Sequence, residues 1–465
     1  MQTGKKTLKN QAPTIEPSFS RKNIADMKFL ERLFSQDKAA AKPNIHFGRY
    51  TDVYHTPYQD EAFEKAVYEF ENENFIPAYT AFFNYLKNTE EDNLNYWEKD
   101  GELHYEFFQG SKKITGFANN KKIYAEARVA KAKTLHSSFM RRMLEENFEL
   151  KYSRFSLTPS HELAIIFDSY TIDGSPYKLY AALKELATHA DKHDDLLVDE
   201  FEALEIIDQH IKRELPEAEK EIKYNYIIQE ITSAFHEIDN GKLNVDQYPI
   251  AITYLLLSLC YKLDYLTKPE GYMMEALERA HRLAFSKDGK NAAQKNQLLR
   301  KELQKLLERP KEKFFKEMYE VSATFGITAP IDHQKVALVI DQELPNMKWY
   351  YEHGHLRIAL AIPGFIAGRC LFYFAVPKPD KDLLHLLMQI MEADYFGQLG
   401  FDKFCENGAL DEKGIKSAIR GIVQEHKKSY PNLNPNLKKL AFDSLPKFAE
   451  SFLLMLRDLD LSKLE

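Results

Sequence analysis

The sequence predicts a mixed α+β fold, and three patterns predict it. Apolar residues recur every three or four positions over 60–88, alternate with polar ones between 93 and 167, and return to helical spacing beyond residue 176. The first and last patterns bury one stripe of a helix; the middle one buries one face of an antiparallel sheet. With 465 residues, and roughly 100–200 residues per domain, the chain has room for several domains. Hydrophobic residues make up 44% and aromatics 13%, which supplies ample core. Acidic and basic side chains are interleaved at a net charge of −7, so no basic stripe of the kind that binds nucleic acid is expected.

Residues 1–50 read as a largely disordered N-terminal segment, polar and Lys-rich at first, with one short helix at "IADMKFLERLFSQ". Residues 51–200 read as a helical hairpin followed by an α+β domain. The hairpin is "DEAFEKAVYEFENENFIPAYTAFFNYLKN", broken at "NEN". Strands follow at "ELHYEFF", with Leu103, Tyr105 and Phe107 on one face, and at "IYAEARV", with Ile123, Ala125, Ala127 and Val129 on one face. Gly101, Gly110, Gly116, Asn119 and Asn120 are read as turns. "HSSFMRRMLEENF" is a helix whose stripe is Phe139, Met140, Met143, Leu144 and Phe148, with Ser137 and Ser138 read as capping residues. Strands "KYSRFSL" and "ELAIIFDSYTI" precede a helix opened by Ser175 and Pro176. The order is α-β-β-β-α-β-β-α.

Residues 201–327 show no alternation and break at Pro216, Gly241, Pro269, Gly289 and Pro310, which predicts a helical domain. Residues 328–465 read as a second, partial α+β unit with C-terminal helices. At a constant offset of 247, "CLFYFAVPKPDKDLLHLLMQIMEADY" falls on "IYAEARVAKAKTLHSSFMRRMLEENF". Val376, Lys378 and Glu392 meet Val129, Lys131 and Glu145, and Cys370, Phe372, Phe374 and Val376 alternate as a strand would. "YYEHGHL" from Tyr350 likewise echoes "YWEKDGEL" from Tyr96. Two such units in one chain are expected to pack as an intrachain pseudo-dimer.

The run "FMRRMLEENFELKYSRFSLTPSHELAIIFDSYTIDGSPYKLYAALKELATHADK" resembles the YbjN/type III secretion chaperone-like family. The shared marks are a helix ending at Asn147, a strand at 152–157, a turn at 158–160, a strand at 163–167 and an amphipathic helix from Tyr177. The resemblance covers about 75–200, and 332–396 more faintly. It implies a unit that binds other proteins and often dimerises, with no catalytic residue and no cofactor to carry over. The long helical insert and the incomplete second copy depart from the family pattern.

Among local constellations, "KWYY" places Trp349 and Tyr351 on one face of an expected strand and Tyr350 on the other. With Tyr96 and Trp97 at the matching place in the first unit, these five aromatics are the candidate partner-binding residues. The blander reading is that a neighbouring domain covers them. His189 and His193 in "HADKHDD" have the spacing of a shared metal, but the helical stripe puts His193 at the core margin and the acids at a solvated end, so no metal is expected. His353 and His355 read as a hairpin tip. No phosphate loop, dinucleotide fingerprint or zinc-protease motif occurs. Cys260, Cys370 and Cys405 are far apart, as expected of buried thiols in a reducing cytoplasm. "YPIAITYLLLSLCYKLDYL" reads as a buried bundle helix, and no membrane is expected. The expected function is non-catalytic protein binding, by an adaptor or chaperone-like factor whose partner is another protein or peptide. The alternatives are a structural subunit of a larger assembly and an enzyme of unknown class, which a deep pocket of convergent polar groups would favour.

Overall fold

The computed structural model describes residues 43–88, 91–207 and 211–462; the short helix expected near the N-terminus lies outside them. The first described elements are α1 (Pro57–Glu71) and α2 (Phe75–Leu86). Thr56 caps α1 in a reciprocal capping box with Gln59, and Pro57 opens the helix. The chain reverses through Glu73, at φ +61°, inside the expected "NEN" break.

The α+β class is as expected, with one strand more than the meander predicted. Strands β1 (Leu94–Lys99), β2 (Glu102–Gln109), β3 (Lys112–Ala118) and β4 (Lys122–Ala132) follow each other antiparallel. After α3 (Ser137–Asn147) come β5 (Arg154–Leu157), β6 (Glu162–Tyr170) and the 25-residue α4 (Pro176–Glu200). The sheet order is β1-β2-β3-β4-β6-β5. One face buries Leu103, Tyr105, Phe107, Ile114, Ile123, Ala125 and Phe167 against Tyr79, Phe82 and Phe83 of α2 and Leu179, Leu183 and Leu186 of α4.

Gly116, expected at a turn, lies inside β3, opposite Tyr105. A Cβ there would come within 2.3 Å of the Tyr105 ring and of the Tyr124 carbonyl oxygen, to which the Tyr105 hydroxyl donates at 2.8 Å. The glycine thus makes room for a tyrosine lying across the strand. Gly116→Ala is expected to cost about 1–3 kcal/mol by overpacking, read as a lowered thermal midpoint.

The region 201–327 is helical but not free of strands. β7 (Leu204–Ile206) returns to pair with the end of β4, Ala130 opposite Ile206. Two-residue strands β8 (Arg213–Glu214) and β9 (Tyr319–Glu320) pair with each other. The helices here are α5 (Glu217–Asn240), α6 (Pro249–Thr267), α7 (Gly271–Phe285), α8 (Ala292–Glu308) and α9 (Lys311–Lys316). The chain then runs back along the sheet: Gly110 bridges Ser322, and the Gln109 side chain accepts from the Thr324 and Phe325 amides and donates to the Phe325 carbonyl. Phe325 is part of the sheet core.

The predicted duplication fails. Between β10 (Ala329–Pro330) and β11 (Phe374–Ala375) lie α10 (His333–Glu343), α11 (Met347–Glu352) and α12 (Leu356–Tyr373); α13 (Lys378–Met391) and α14 (Ala393–Gln398) follow. Residues 332–396 are therefore helical apart from one two-residue parallel pairing, and the described residues hold no second sheet unit to form a pseudo-dimer. The alternation at 370–376 runs from the end of a helix that is buried nearly all round, and so carries no readable stripe, into the two residues of β11. Gly364 and Gly368 of α12 bring it close to α6: Cβ atoms there would fall 2.5 Å from Ser258 Oγ and 2.6 Å from Tyr261 Cβ. Both α6 and α12 are long and apolar enough to cross a membrane, and both are mostly buried within the protein. A two-residue hairpin, β12 (Cys405–Glu406) with β13 (Ala409–Leu410), and the helices α15 (Glu412–His426) and α16 (Leu445–Arg457) complete the chain. The described residues from His46 onward form one compact unit.

Candidate functional site

Helix α3 buries little of what its sequence offers. Phe139 and Met143 face the core, whereas Met140, Leu144 and Phe148, one turn apart each, are 39%, 71% and 89% exposed. The sequence reading placed all five on one apolar stripe. The structure divides them into two adjacent stripes and leaves one facing solvent, flanked by exposed Leu135 and Tyr152. Its N-cap is His136, with no side-chain capping bond, so Ser137 and Ser138 do not cap it. The Arg141–Glu145 pair at 2.9 Å gives the stripe a polar border. Solvent-facing apolar rows of this kind mark interaction sites.

The second surface is the open face of the sheet. Trp97, His104, Phe117 and Tyr124 stand directly opposite one another across β1 to β4. Their ring centroids are 5.9, 6.3 and 5.7 Å apart in turn. Ion pairs Lys113–Glu106 and Arg128–Glu126 share this face. Trp97, 46% exposed, is thus an outward aromatic. Tyr96 points the other way: its ring packs on Phe83 and its hydroxyl donates to Asn84 Oδ1 at 2.8 Å.

The remaining candidates lie elsewhere. Trp349, Tyr350 and Tyr351 are on α11, not on a strand. Trp349 stacks on Tyr248 and is flanked by His353 and His355, which belong to the α11–α12 connection and not to a hairpin tip. Tyr350 and Tyr351 are half-buried. Among the described residues the ring partners of Trp349 are Tyr248, Tyr350, His353 and His355, whereas Tyr96 meets Phe83 and Trp97 meets His104, so the five aromatics do not form one cluster.

A cleft of about 940 Å³ opens between the strap 46–59, α4, α7 and the 320–329 segment. Its walls carry Tyr50, Tyr85, Tyr180 and Phe325. Arg49 is fixed in it by Asp264 at 2.7 and 2.9 Å and Glu278 at 2.8 Å, over the Phe372 ring. At one end sits a cluster the sequence reading missed. Asp191 Oδ1 accepts from the Ser111 amide at 2.9 Å, and Asp194 Oδ2 from the Ser111 hydroxyl at 2.5 Å. Lys112 Nζ lies 3.2 Å from Asp194 Oδ2, with both side chains 0% exposed. Lys212 reaches Asp195 Oδ1 at 2.7 Å, and the Tyr319 hydroxyl donates to Asp195 Oδ2 at 2.6 Å. The acids of "HADKHDD" are therefore not a solvated end. Burial, then the neighbouring Asp194, pushes Asp191 up to about 7. Burial also raises Glu270 well above the carboxylate range, with Asp191 adding to it. Among the described residues the Glu270 side chain has no hydrogen-bond or ion-pair partner, and both carboxyls line the cleft. The one sequence signal for this cluster was the run of acids after His193; its basic partners lie far away in the chain.

No protein-family model matches this chain, and no curated protein does.

Proposed function

We propose that the protein is a non-catalytic, chaperone-like binding factor that docks an apolar segment of another polypeptide on the outer stripe of α3. The observation that carries this reading is the exposure of Met140, Leu144 and Phe148 in one row. A helix that needed only to cover the sheet would place polar residues there. The open aromatic face of β1 to β4 supports the same reading, since a sheet covered on one side leaves the other for a partner. The resemblance of 75–200 to secretion-chaperone-like units agrees with it.

The test is site-specific photocrosslinking from position 148 in the native host, followed by purification of the adduct's partner and a binding titration. The double variant L144D/F148D is expected to weaken that partner's affinity by about 30-fold or more, the effect of losing a hot spot. Its unfolding free energy should stay within about 0.5 kcal/mol per site, because both side chains are exposed. No specific adduct, or an affinity unchanged by L144D/F148D, overturns the reading. A partner that exchanges within minutes marks an adaptor; one that never exchanges marks a structural subunit.

The cleft favours a second reading, an enzyme or small-molecule receptor, because burial raises Asp191 to about 7 and Glu270 well above the ordinary carboxylate range in a concave site. That reading requires a small polar ligand that stabilises the wild type and not D191N.

A further inference from the structure

Helix α4 carries His189 and His193 one turn apart, with their rings stacked at 5.7 Å and 10°. Glu146, near the end of α3, faces them, its Oε2 lying 3.2 Å from His193 Nε2. One donor atom from each of the three lies within 4.8 Å of the other two.

Three details suit this group to an ion. His193 Nδ1 is 2.8 Å from the carbonyl oxygen of His189. With Nδ1–H donated there, Nε2 is the nitrogen left to face Glu146, the outer-shell arrangement that fixes a metal-binding tautomer. His189 Nδ1 is buried without a hydrogen-bond partner, and such orphans call for a reason. Arg142 holds Glu146 Oε1 at 3.0 Å, which leaves Oε2 for the ion. A neutral imidazole and an ionised carboxylate are the forms that ligate. Glu185, also near His189, is committed to the amides of Lys151, Tyr152 and Ser153.

We propose that Glu146, His189 and His193 bind one first-row divalent cation, zinc by preference. Two imidazoles and one carboxylate suit zinc, whereas magnesium and calcium take oxygen shells. Donors on one tetrahedral zinc lie about 3.3 Å apart, so modest side-chain rotation closes the set. Three protein ligands leave a fourth position for water or an added ligand. His189 also lines the cleft, which gives the ion a way in. The site does not depend on the docking role of α3.

The full-length protein, stripped with chelator and dialysed, is titrated with zinc chloride by calorimetry, and with cobalt(II) while its visible d–d bands are recorded. The expected result is one zinc per chain, tetrahedral cobalt bands and a raised thermal midpoint. E146Q and H189A should each weaken zinc by more than about 100-fold, beyond the effect of losing an outer-shell partner. E146Q changes a side chain only part-buried, so it keeps the test decisive if a histidine variant misfolds. Asp382, Glu425 and His426 form the other such group among the described residues, and H426A controls for it. Zinc binding lost in H426A but kept in E146Q and H189A overturns the proposal, as does the absence of stoichiometric binding to the wild type.

Discussion

Lys112→Met is expected to lower the unfolding free energy by about 3–5 kcal/mol, the usual cost of removing one partner from a buried ion pair. Lys112 and Asp194 are both 0% exposed and 3.2 Å apart, so the variant leaves a buried carboxylate with only the more distant Lys212, at 4.0 Å, as a cationic partner. It also removes the donor that Val129 and Ile207 share through their carbonyl oxygens, at 3.3 and 3.1 Å. Urea unfolding reads the effect as a lower midpoint at unchanged slope. The double variant K112M/D194L should recover part of the loss, since apolar replacement of a whole buried pair is often neutral. Recovery stays partial because the two carbonyls still lack their donor and the Ser111 hydroxyl now loses its acceptor. A single variant within about 1 kcal/mol of wild type would mean that water reaches Asp194.

Asp191→Asn should change how stability depends on pH. The folded-state value of Asp191, about 7, lies above that of an unfolded aspartate, so between the two the folded chain holds a proton the unfolded chain releases. The stabilisation is complete below the unfolded range and is lost as pH rises through about 7. Wild type and D191N are therefore expected to have similar urea midpoints near pH 4, well below that folded-state value. By about pH 8, D191N should be more stable by on the order of 2 kcal/mol. Taking the difference between the two proteins cancels Glu146 and Glu185, whose lowered values act in the opposite sense. Parallel pH curves for the two would show that Asp191 ionises as an ordinary carboxylate.

What was legible in the sequence follows from local physics. The strands at 102–109, 122–132 and 162–170 announce themselves because each has one wet and one dry face, and the Ser175–Pro176 start of α4 is a local capping signal. The helices at 333–391 were misread for the opposite reason. α12 is buried on nearly every side, so its 3.6-residue period vanishes and chance alternation near Cys370 looks like a strand. Trp97 and Tyr96 alternate across β1, which no reading of the candidate aromatics had assigned to faces, while Trp349 inherited its strand from a repeat that does not exist. The acid cluster joins residues 111, 112, 191, 194, 212 and 270, and no spacing rule links positions that far apart. His189 and His193 were visible as a pair; Glu146, which faces them, is brought in by tertiary packing alone.

Both ends of the helical insert are stitched to the sheet, β7 on β4 and the 322–325 stretch along the end of β2. During synthesis, the first two hundred residues leave the ribosome with a gap where Phe325 belongs. Maturation of that unit waits for the insert to emerge and loop back, so a nascent chain halted before residue 325 exposes raw apolar surface to holdases and proteases.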